Sequence, residues 1–147
     1  MVENGKLFRP LEVEIVIPVR TYDIDFAGIV SNIVYIRWLE DLRLKILDEY
    51  LPLTKELNKG IAPAIYKTEI EYKRPIQLFE SVIGQMWMSN LSRVKYTLQA
   101  EIIVNNHIAA TATQTGVFLS MNNHRPVKVP EELSRQYSEY KFNFPKT

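Results

Sequence analysis

Two aspartates and one glycine, Asp23, Asp25 and Gly28, stand between a strand-like pattern and a helix-like pattern. A carboxylate can serve as a general base or as a nucleophile. Because these residues precede a helix, they lie close to the unpaired N–H groups of its first turn, which stabilise negative charge. The same N–H groups can hold a developing oxyanion. Residues 20–40 therefore combine a reactive group with oxyanion donors, and they form the first candidate site for chemistry.

The segment from residue 20 to residue 40 resembles the signature of the hotdog-fold acyl-CoA thioesterases, the group that includes 4-hydroxybenzoyl-CoA thioesterase. The matching positions are Tyr22, Asp23, Asp25, Gly28, Val30, Tyr35 and Glu40. Together with the order of strands, the resemblance covers about residues 11–121. It implies a hotdog fold, in which a long helix lies across a curved antiparallel sheet. It also implies hydrolysis of an acyl-CoA to a free acid and coenzyme A.

Two branches of the family share features with this sequence. The portion Ala27–Val30 resembles the hydroxybenzoyl-CoA branch. Asn32 followed by Tyr35 resembles a long-chain acyl-CoA branch, in which a histidine stands at the place of Ile29. A second motif, Tyr72-Lys73-Arg74-Pro75, resembles the Y-x-x-P that the family carries at the end of a strand.

The resemblance places Asp25 on the family's catalytic carboxylate. In that role Asp25 would either act as a base on water or attack the thioester carbonyl directly, and both routes need the same ionised group. The alternative is a turn or capping aspartate, since aspartate is favoured just before helices. Asp23 falls on the other acidic position of the family, whose implied role is to brace the loop.

Gly28 is expected to allow a sharp turn and a close approach of the thioester to the backbone. The family's oxyanion-binding N–H maps onto the first helical residues, which here are Ser31, Asn32 and Ile33. A backbone donor requires no particular side chain, so the sequence does not choose among the three. Asn32 also fits a simple helix N-cap, and both roles are compatible.

Four further side chains are expected to contact the substrate. Tyr35 and Glu40 match the helix aromatic and the helix glutamate of the family. Glu40 could equally form an ion pair with Arg43, three residues on. Arg74 and Arg93 lie at a strand end and beside a turn, where they could meet the phosphates of coenzyme A or simply be solvated.

Composition excludes several other classes of protein. A net charge of +1 favours neither nucleic acid nor an anionic membrane as a partner. The absence of cysteine excludes disulfides and thiolate chemistry, and two isolated histidines do not indicate a metal site. The N-terminal segment lacks the apolar core of a signal peptide, so the cytoplasm is the expected compartment. We expect no metal or redox cofactor.

Hydrophobic spacing predicts the elements that position these residues. Alternating apolar residues predict a strand over 13–19, and a helix pattern follows over 32–50. Further strands are predicted over 62–72, 82–88, 94–104 and 107–121, with a hairpin turn at Asn105-Asn106. A short terminal helix is expected after Pro130. We therefore expect residues 1–147 to form one α+β hotdog domain of about five strands, with the long helix covering the sheet.

One helix cannot hide all the apolar surface of such a sheet, so a homodimer or homotetramer is expected. In the family, residues of the second subunit help to hold the coenzyme. Two other functions fit the sequence. The acyl group could be carried by acyl carrier protein instead of coenzyme A. Alternatively, the chain could be a non-catalytic acyl-binding hotdog dimer.

Overall fold

A computed structural model describes residues 2–3 and 6–145 of the chain. The helices are α1, Val34–Tyr50, α2, Leu53–Asn58, and α3, Glu131–Asn143. The strands are β1 (Val2–Glu3), β2 (Lys6–Leu7), β3 (Val13–Ile17), β4 (Ile61–Tyr72), β5 (Val82–Leu91), β6 (Lys95–Val104), β7 (His107–Ser120) and β8 (Pro126–Val127). A short 3₁₀ turn, Thr21–Asp23, follows β3.

One antiparallel sheet of six strands carries the site. Its strand order is β3-β5-β6-β7-β4, and the short β8 pairs with the end of β7. Strand β4 is therefore an edge strand, although it is twelve residues long. The sheet has one strand more than expected, because β8 is too short to show an alternating pattern. Near the N-terminus, β1 and β2 form a small separate sheet where an irregular lead-in was expected, and residues 1, 4 and 5 lie outside the described part.

Helix α1 lies across the sheet as predicted. Its buried residues recur every three or four positions and form one face: Val34, Tyr35, Trp38, Leu39, Leu42 and Ile46. They pack on the inward residues of the sheet, among them Val82, Met86, Leu98 and Ile102. The long helix and its sheet thus share a single apolar core.

Helix α3 covers a further part of the core, which corrects the expectation that α1 alone would do so. It is thirteen residues long, and Leu133 and Tyr137 on one face are buried. The hydroxyl of Tyr137 donates to the carbonyl oxygen of Ser89 at 3.3 Å. Most of the other positions in this helix are polar, so the four-residue spacing of two buried residues was a weak signal.

The boundaries of the elements differ slightly from the predicted ones. Strand β3 ends at Ile17, because the exposed Pro18 has no N–H with which to continue the ladder. Asn105 and Asn106 form the predicted hairpin turn, with φ of +51° and +63°. Within the described residues, no helix is long and apolar enough to cross a membrane.

Candidate active site

The loop that carries Asp25 is a tight turn closed by its own backbone. The N–H of Asp25 donates to the carbonyl oxygen of Ile29 at 2.8 Å, and the N–H of Gly28 donates to that of Asp25 at 3.0 Å. Gly28 has φ of +81°, a left-handed conformation that favours glycine. An isolated bridge between Ile24 and Val30 closes the base of the loop. Gly28 therefore provides the turn that the sequence predicted.

The carboxylate of Asp25 is half-buried and has one oxygen engaged in the turn. Its Oδ1 accepts a hydrogen bond from the N–H of Ala27 at 2.8 Å. This bond fixes the orientation of the carboxylate and leaves Oδ2 as the oxygen that could meet a substrate. A turn role and a reactive role for Asp25 are therefore compatible. The neighbouring Phe26 side chain is fully exposed.

Asp23 braces the loop from inside. Its side chain is 6% exposed, and its Oδ2 accepts a hydrogen bond from the N–H of Arg20 at 2.9 Å. Its carbonyl oxygen accepts a second bond, from the N–H of Ser31, at 2.9 Å. Asp23 thus ties the end of β3 to the segment before α1.

The start of α1 narrows the choice of oxyanion donors. The helix begins at Val34, and its N-cap residue is Ile33, which makes no side-chain cap, so the N-cap reading of Asn32 is wrong. The N–H of Ser31 already donates to the carbonyl oxygen of Asp23. The N–H of Val34 donates to the carbonyl oxygen of Ser31 at 2.9 Å. Among the described residues, the N–H groups of Asn32 and Ile33 have no backbone acceptor. These two groups remain available for a developing oxyanion.

A second loop, residues 73–81, meets this segment. The N–H of Val30 donates to the carbonyl oxygen of Ile76 at 2.8 Å. The hydroxyl of Tyr72, in the second predicted motif, donates to the carbonyl oxygen of Asn32 at 2.9 Å. The structure therefore brings the two motifs together at the N-terminus of α1. Arg74 follows Tyr72 by two residues and is exposed, and its N–H donates to the carbonyl oxygen of Ala109 at 3.0 Å.

Tyr35 lies beneath the helix start and does not face solvent. Its ring contacts Trp38 at 5.0 Å and Tyr72 at 4.9 Å between centroids, the second in an edge-on arrangement. Burial, together with the nearby Tyr72, raises the pKa of Tyr35 to about 12. Tyr35 is thus a core residue that supports the site. Within one protomer its side chain is buried, so it offers no exposed surface for the direct substrate contact that was expected.

Farther along α1, Glu40 Oε1 lies 3.7 Å from Arg43 Nη2, which is the ion pair given as the alternative to a substrate contact. Arg43 Nη1 also donates to Oε1 of the buried Gln114 at 2.8 Å, and Gln114 Nε2 donates to Thr68 Oγ1 at 3.1 Å. Burial lowers the pKa of Arg43, with Tyr96 and Glu40 acting in the opposite direction. The sequence analysis missed Gln114, whose signal was a polar residue at an inward position of β7.

A cavity of about 430 Å³ opens beside this ion pair. Apart from Glu40 and Arg43, its walls are almost entirely apolar, and they come from α1, α2, α3 and the inward face of the sheet. Met88 of β5 is one of the apolar residues that line it. Asp25 does not line this cavity.

Arg93 is not brought to the Asp25 loop within one protomer. It lies in the turn between β5 and β6, and its carbonyl oxygen accepts a bond from the N–H of Val129. The loop 73–81 and the Asp25 loop lie at the opposite end of those strands, where Val82 pairs with Val104. Within the part of the chain that the structure describes, no cluster of three or more His, Asp or Glu side chains could hold a metal ion.

Comparison with known proteins identifies the family. Residues 19–137 match the model of the thioesterase-like superfamily, a match that includes the Asp25 loop, all of α1 and strands β4 to β7. The chain belongs to this superfamily. A relative in sequence is the chloroplastic acyl-acyl carrier protein thioesterase ATL2 of Arabidopsis thaliana. It is 25% identical over 153 residues, which cover 93% of this chain and 81% of that protein.

Solved structures confirm the hotdog fold. The DHNA-CoA thioesterase from Staphylococcus aureus has a TM-score of 0.80 at 20% identity, covering 89% of this chain and 90% of that chain. A thioesterase from Thermus thermophilus, complexed with coenzyme A and Zn, has a TM-score of 0.77 at 22% identity, covering 91% of this chain and 96% of that chain. At these identities the likeness is one of fold.

Proposed function

We propose that this superfamily member is an acyl-CoA thioesterase, which hydrolyses its substrate to a free acid and coenzyme A. One observation carries the proposal. The Asp25 carboxylate is held in a braced turn on the segment that leads into α1, and the N–H groups of Asn32 and Ile33 have no backbone acceptor among the described residues. A reactive carboxylate and oxyanion donors are the two components that thioester hydrolysis needs.

The reaction has two possible routes through Asp25. As a base, the carboxylate takes a proton from water while the water oxygen bonds to the thioester carbon. As a nucleophile, it bonds to that carbon itself and forms an anhydride, which water then hydrolyses. In both routes the C–S bond breaks and coenzyme A leaves as a thiolate. A thiolate is a good leaving group, since a thiol has a pKa of about 8.5.

The oxyanion formed on the thioester carbonyl would be stabilised by the N–H groups of Asn32 and Ile33. Ile33 is the N-cap residue of α1 and Asn32 precedes it, so both donors lie at the end of the helix where its dipole favours negative charge. Asp23 and Tyr72 keep this segment in place through its backbone, at Ser31 and at Asn32 respectively. The donors are therefore preorganised, which is what makes such sites effective.

We propose a homodimer or homotetramer as the active form. The proposal is supported by the long edge strand β4, which pairs with β7 on one side only. Tyr66 on this strand is 58% exposed, and at the start of α1 Ile33 is 69% exposed and Ile36 45%. A long unpaired edge with apolar neighbours invites pairing with a second chain. A partner there would also lie near Asn32, which is bonded to Tyr72 at the end of β4, and Arg74 or the partner's basic residues could then meet the phosphates of coenzyme A.

Acyl-acyl carrier protein is the second candidate substrate, favoured by the resemblance to ATL2. The thioester and the pantetheine arm are the same in both substrates, so the chemistry at Asp25 would not change. Positive charge clustered around the mouth of the site would favour a carrier protein. The non-catalytic alternative predicts acyl binding without turnover.

A hydrolysis panel tests the proposal. Acyl-CoA esters of short, long and aromatic acyl groups, and the matching acyl-carrier-protein esters, are each incubated with the protein, and the released thiol is measured. We expect turnover of at least one acyl-CoA ester. Turnover of carrier-protein esters alone would select the second candidate, and binding without any turnover would select the non-catalytic alternative.

A further inference from the structure

An apolar cavity of about 430 Å³ lies beneath α2, outside the Asp25 loop. Its lining includes Leu53 and the partly exposed Leu57 of α2, Ala62 of β4, Leu133 of α3 and the buried Phe118 of β7. The cavity is large compared with the packing voids of protein interiors, which seldom exceed a water molecule. Apolar walls of this kind hold hydrocarbon and not water.

The two charged side chains that line the cavity, Glu40 and Arg43, have protein partners. Arg43 Nη1 is bonded to Gln114, and Arg43 Nη2 lies 3.7 Å from Glu40. Gln114 is in turn bonded to Thr68. Arg43 and Glu40 are therefore paired with each other, and among the described lining residues Tyr96 adds one further polar side chain to otherwise apolar walls.

A stripe on α1 leads from the oxyanion donors to this rim. Ile33 and Ile36 are exposed, and Glu40 and Leu44 follow at the next positions on the same face. Glu40 is seven residues beyond Ile33, which places it two turns, about 10 Å, along the helix axis. An acyl group whose carbonyl lies at Ile33 must cross this distance before it enters the cavity.

We propose that the cavity beneath α2 receives the distal part of a long aliphatic acyl chain, and that Leu57 and Ala62 set the chain length. The inference rests on the proposed function, since it places the thioester carbonyl at Asp25. A single aromatic ring is too short to reach the cavity from Ile33, whereas an unbranched chain can follow Ile36 and pass Glu40. The substrate class is therefore a long-chain acyl thioester.

The test measures binding separately from hydrolysis. S-alkyl coenzyme A thioethers with butyl, octyl, dodecyl and hexadecyl chains cannot be hydrolysed, and their affinities are measured by calorimetry. We expect affinity to change little until the chain reaches the rim. Beyond that length it should rise by about fourfold for each methylene that becomes buried. Hydrolysis of the matching acyl-CoA esters is measured in parallel.

Variants of the cavity wall make the test specific. Ala62→Phe fills the cavity, so it should weaken hexadecyl binding by at least about tenfold and leave butyl binding within about twofold. Leu57→Ala enlarges the cavity, so the alkyl chain that binds most tightly should become longer. This variant provides the test if the Ala62→Phe protein does not fold. Leu7→Ala is the matched control, because Leu7 is 50% exposed against 40% for Leu57 and does not line the cavity.

The outcomes separate this inference from the proposed function. If affinity does not depend on chain length, or if both wall variants leave the length profile of the parent unchanged, the cavity assignment is wrong, even where esters are hydrolysed. If thioethers bind with the expected length profile while no ester is hydrolysed, the cavity assignment stands and the proposed function fails.

Discussion

The hydroxyl of Tyr72 donates a hydrogen bond of 2.9 Å to the carbonyl oxygen of Asn32. The two residues are forty positions apart in the sequence, yet they join the end of β4 to the segment that opens α1. The same tyrosine ring packs edge-on against Tyr35 inside the core. Tyr72 therefore connects the proposed oxyanion donors to the rigid part of the fold.

Replacing Tyr72 with phenylalanine should loosen this connection while keeping the ring packing. Loss of one partly exposed hydrogen bond should lower the free energy of unfolding by about 0.5–1.5 kcal/mol. We expect kcat to fall several-fold with little change in KM, because the donors lose orientation and not the ability to bind substrate. Urea unfolding and steady-state kinetics measure the two effects. Tyr66→Phe, at an exposed site on the same strand, should change neither; equal effects in the two variants would refute the role of Tyr72.

Gly28 and Gly60 form a matched pair for testing the Asp25 loop. Both have a left-handed backbone, with φ of +81° and +76°, and a Cβ on either would meet open space. Gly28→Ala and Gly60→Ala should therefore each lower the free energy of unfolding by about 1–2 kcal/mol through backbone strain alone. Only Gly28→Ala should also reduce kcat, since only that turn orients Asp25. If kcat survives Gly28→Ala, or falls equally in both variants, the turn does not position the reactive group.

Much of the fold could be predicted because local patterns agree with it. Apolar residues alternate over residues 95–104 and recur at helical spacing from Tyr35 to Ile46. These two patterns predict which face of the strand and of the helix is buried. The pairing of strands is different, since it depends on contacts between distant segments. Nothing in the sequence of β4 alone places it at the edge beside β7, and the two residues of β8 carry no periodicity. The length of helix α3 and its contribution to the core were underestimated, because two buried residues among polar neighbours form only a weak apolar stripe.

The candidate site was predicted only in part, for a similar reason. The motif located the Asp25 loop and the start of α1, where turn residues and spacing are local signals. It did not show that the N–H of Ser31 is already bonded to Asp23, which depends on how the loop folds back. The contacts of Gln114 with Arg43 and Thr68 join three separate elements, so no local pattern contains them. Arg93 resembled Arg74 in its setting, yet the topology places the two at opposite ends of the sheet.

Two buried tyrosines should make the fold sensitive to alkali. Burial raises the pKa of Tyr35 and that of Tyr96 to about 12 from 10.0, with the charge of Arg43 opposing the shift at Tyr96. A raised pKa in the folded state means that the unfolded chain ionises first. Stability is therefore complete below about pH 10 and is lost as the pH rises toward about 12, by up to roughly 3 kcal/mol per tyrosine.

Urea unfolding near neutral pH and at about pH 11 measures this loss, with tyrosinate absorbance as the probe of ionisation. Tyr96→Phe should reduce the loss, because it removes one of the two groups. Tyr22→Phe, at an exposed side chain, should leave it unchanged. An alkaline loss that is the same in the Tyr96→Phe protein and the parent would show that Tyr96 does not contribute.

The edge strand β4 predicts self-association. Light scattering at micromolar concentration should give a mass of two chains or more, against 17.2 kDa for one. Tyr66→Lys, which puts a charge on the exposed edge, should shift the mass toward the monomer, because charged edges oppose strand pairing. Thr111→Lys, on the interior strand β7, is the control and should not change the mass. A parent protein that runs as a clean monomer would rule out a site shared between subunits.

The central claim is that the charge of Asp25 drives thioester hydrolysis, and Asp25→Asn tests it most directly. The asparagine Oδ1 can still accept the hydrogen bond from Ala27, so the turn is retained while the negative charge is lost. Turnover of the best acyl-CoA should fall by at least about a hundredfold, the low end of what a positioned base contributes. Asp48→Asn, an exposed aspartate on α1, should match the parent, and melting temperature and mass should be unchanged in both variants. If the Asp25→Asn protein releases thiol as fast as the parent, Asp25 is a turn residue only and the proposed mechanism is wrong.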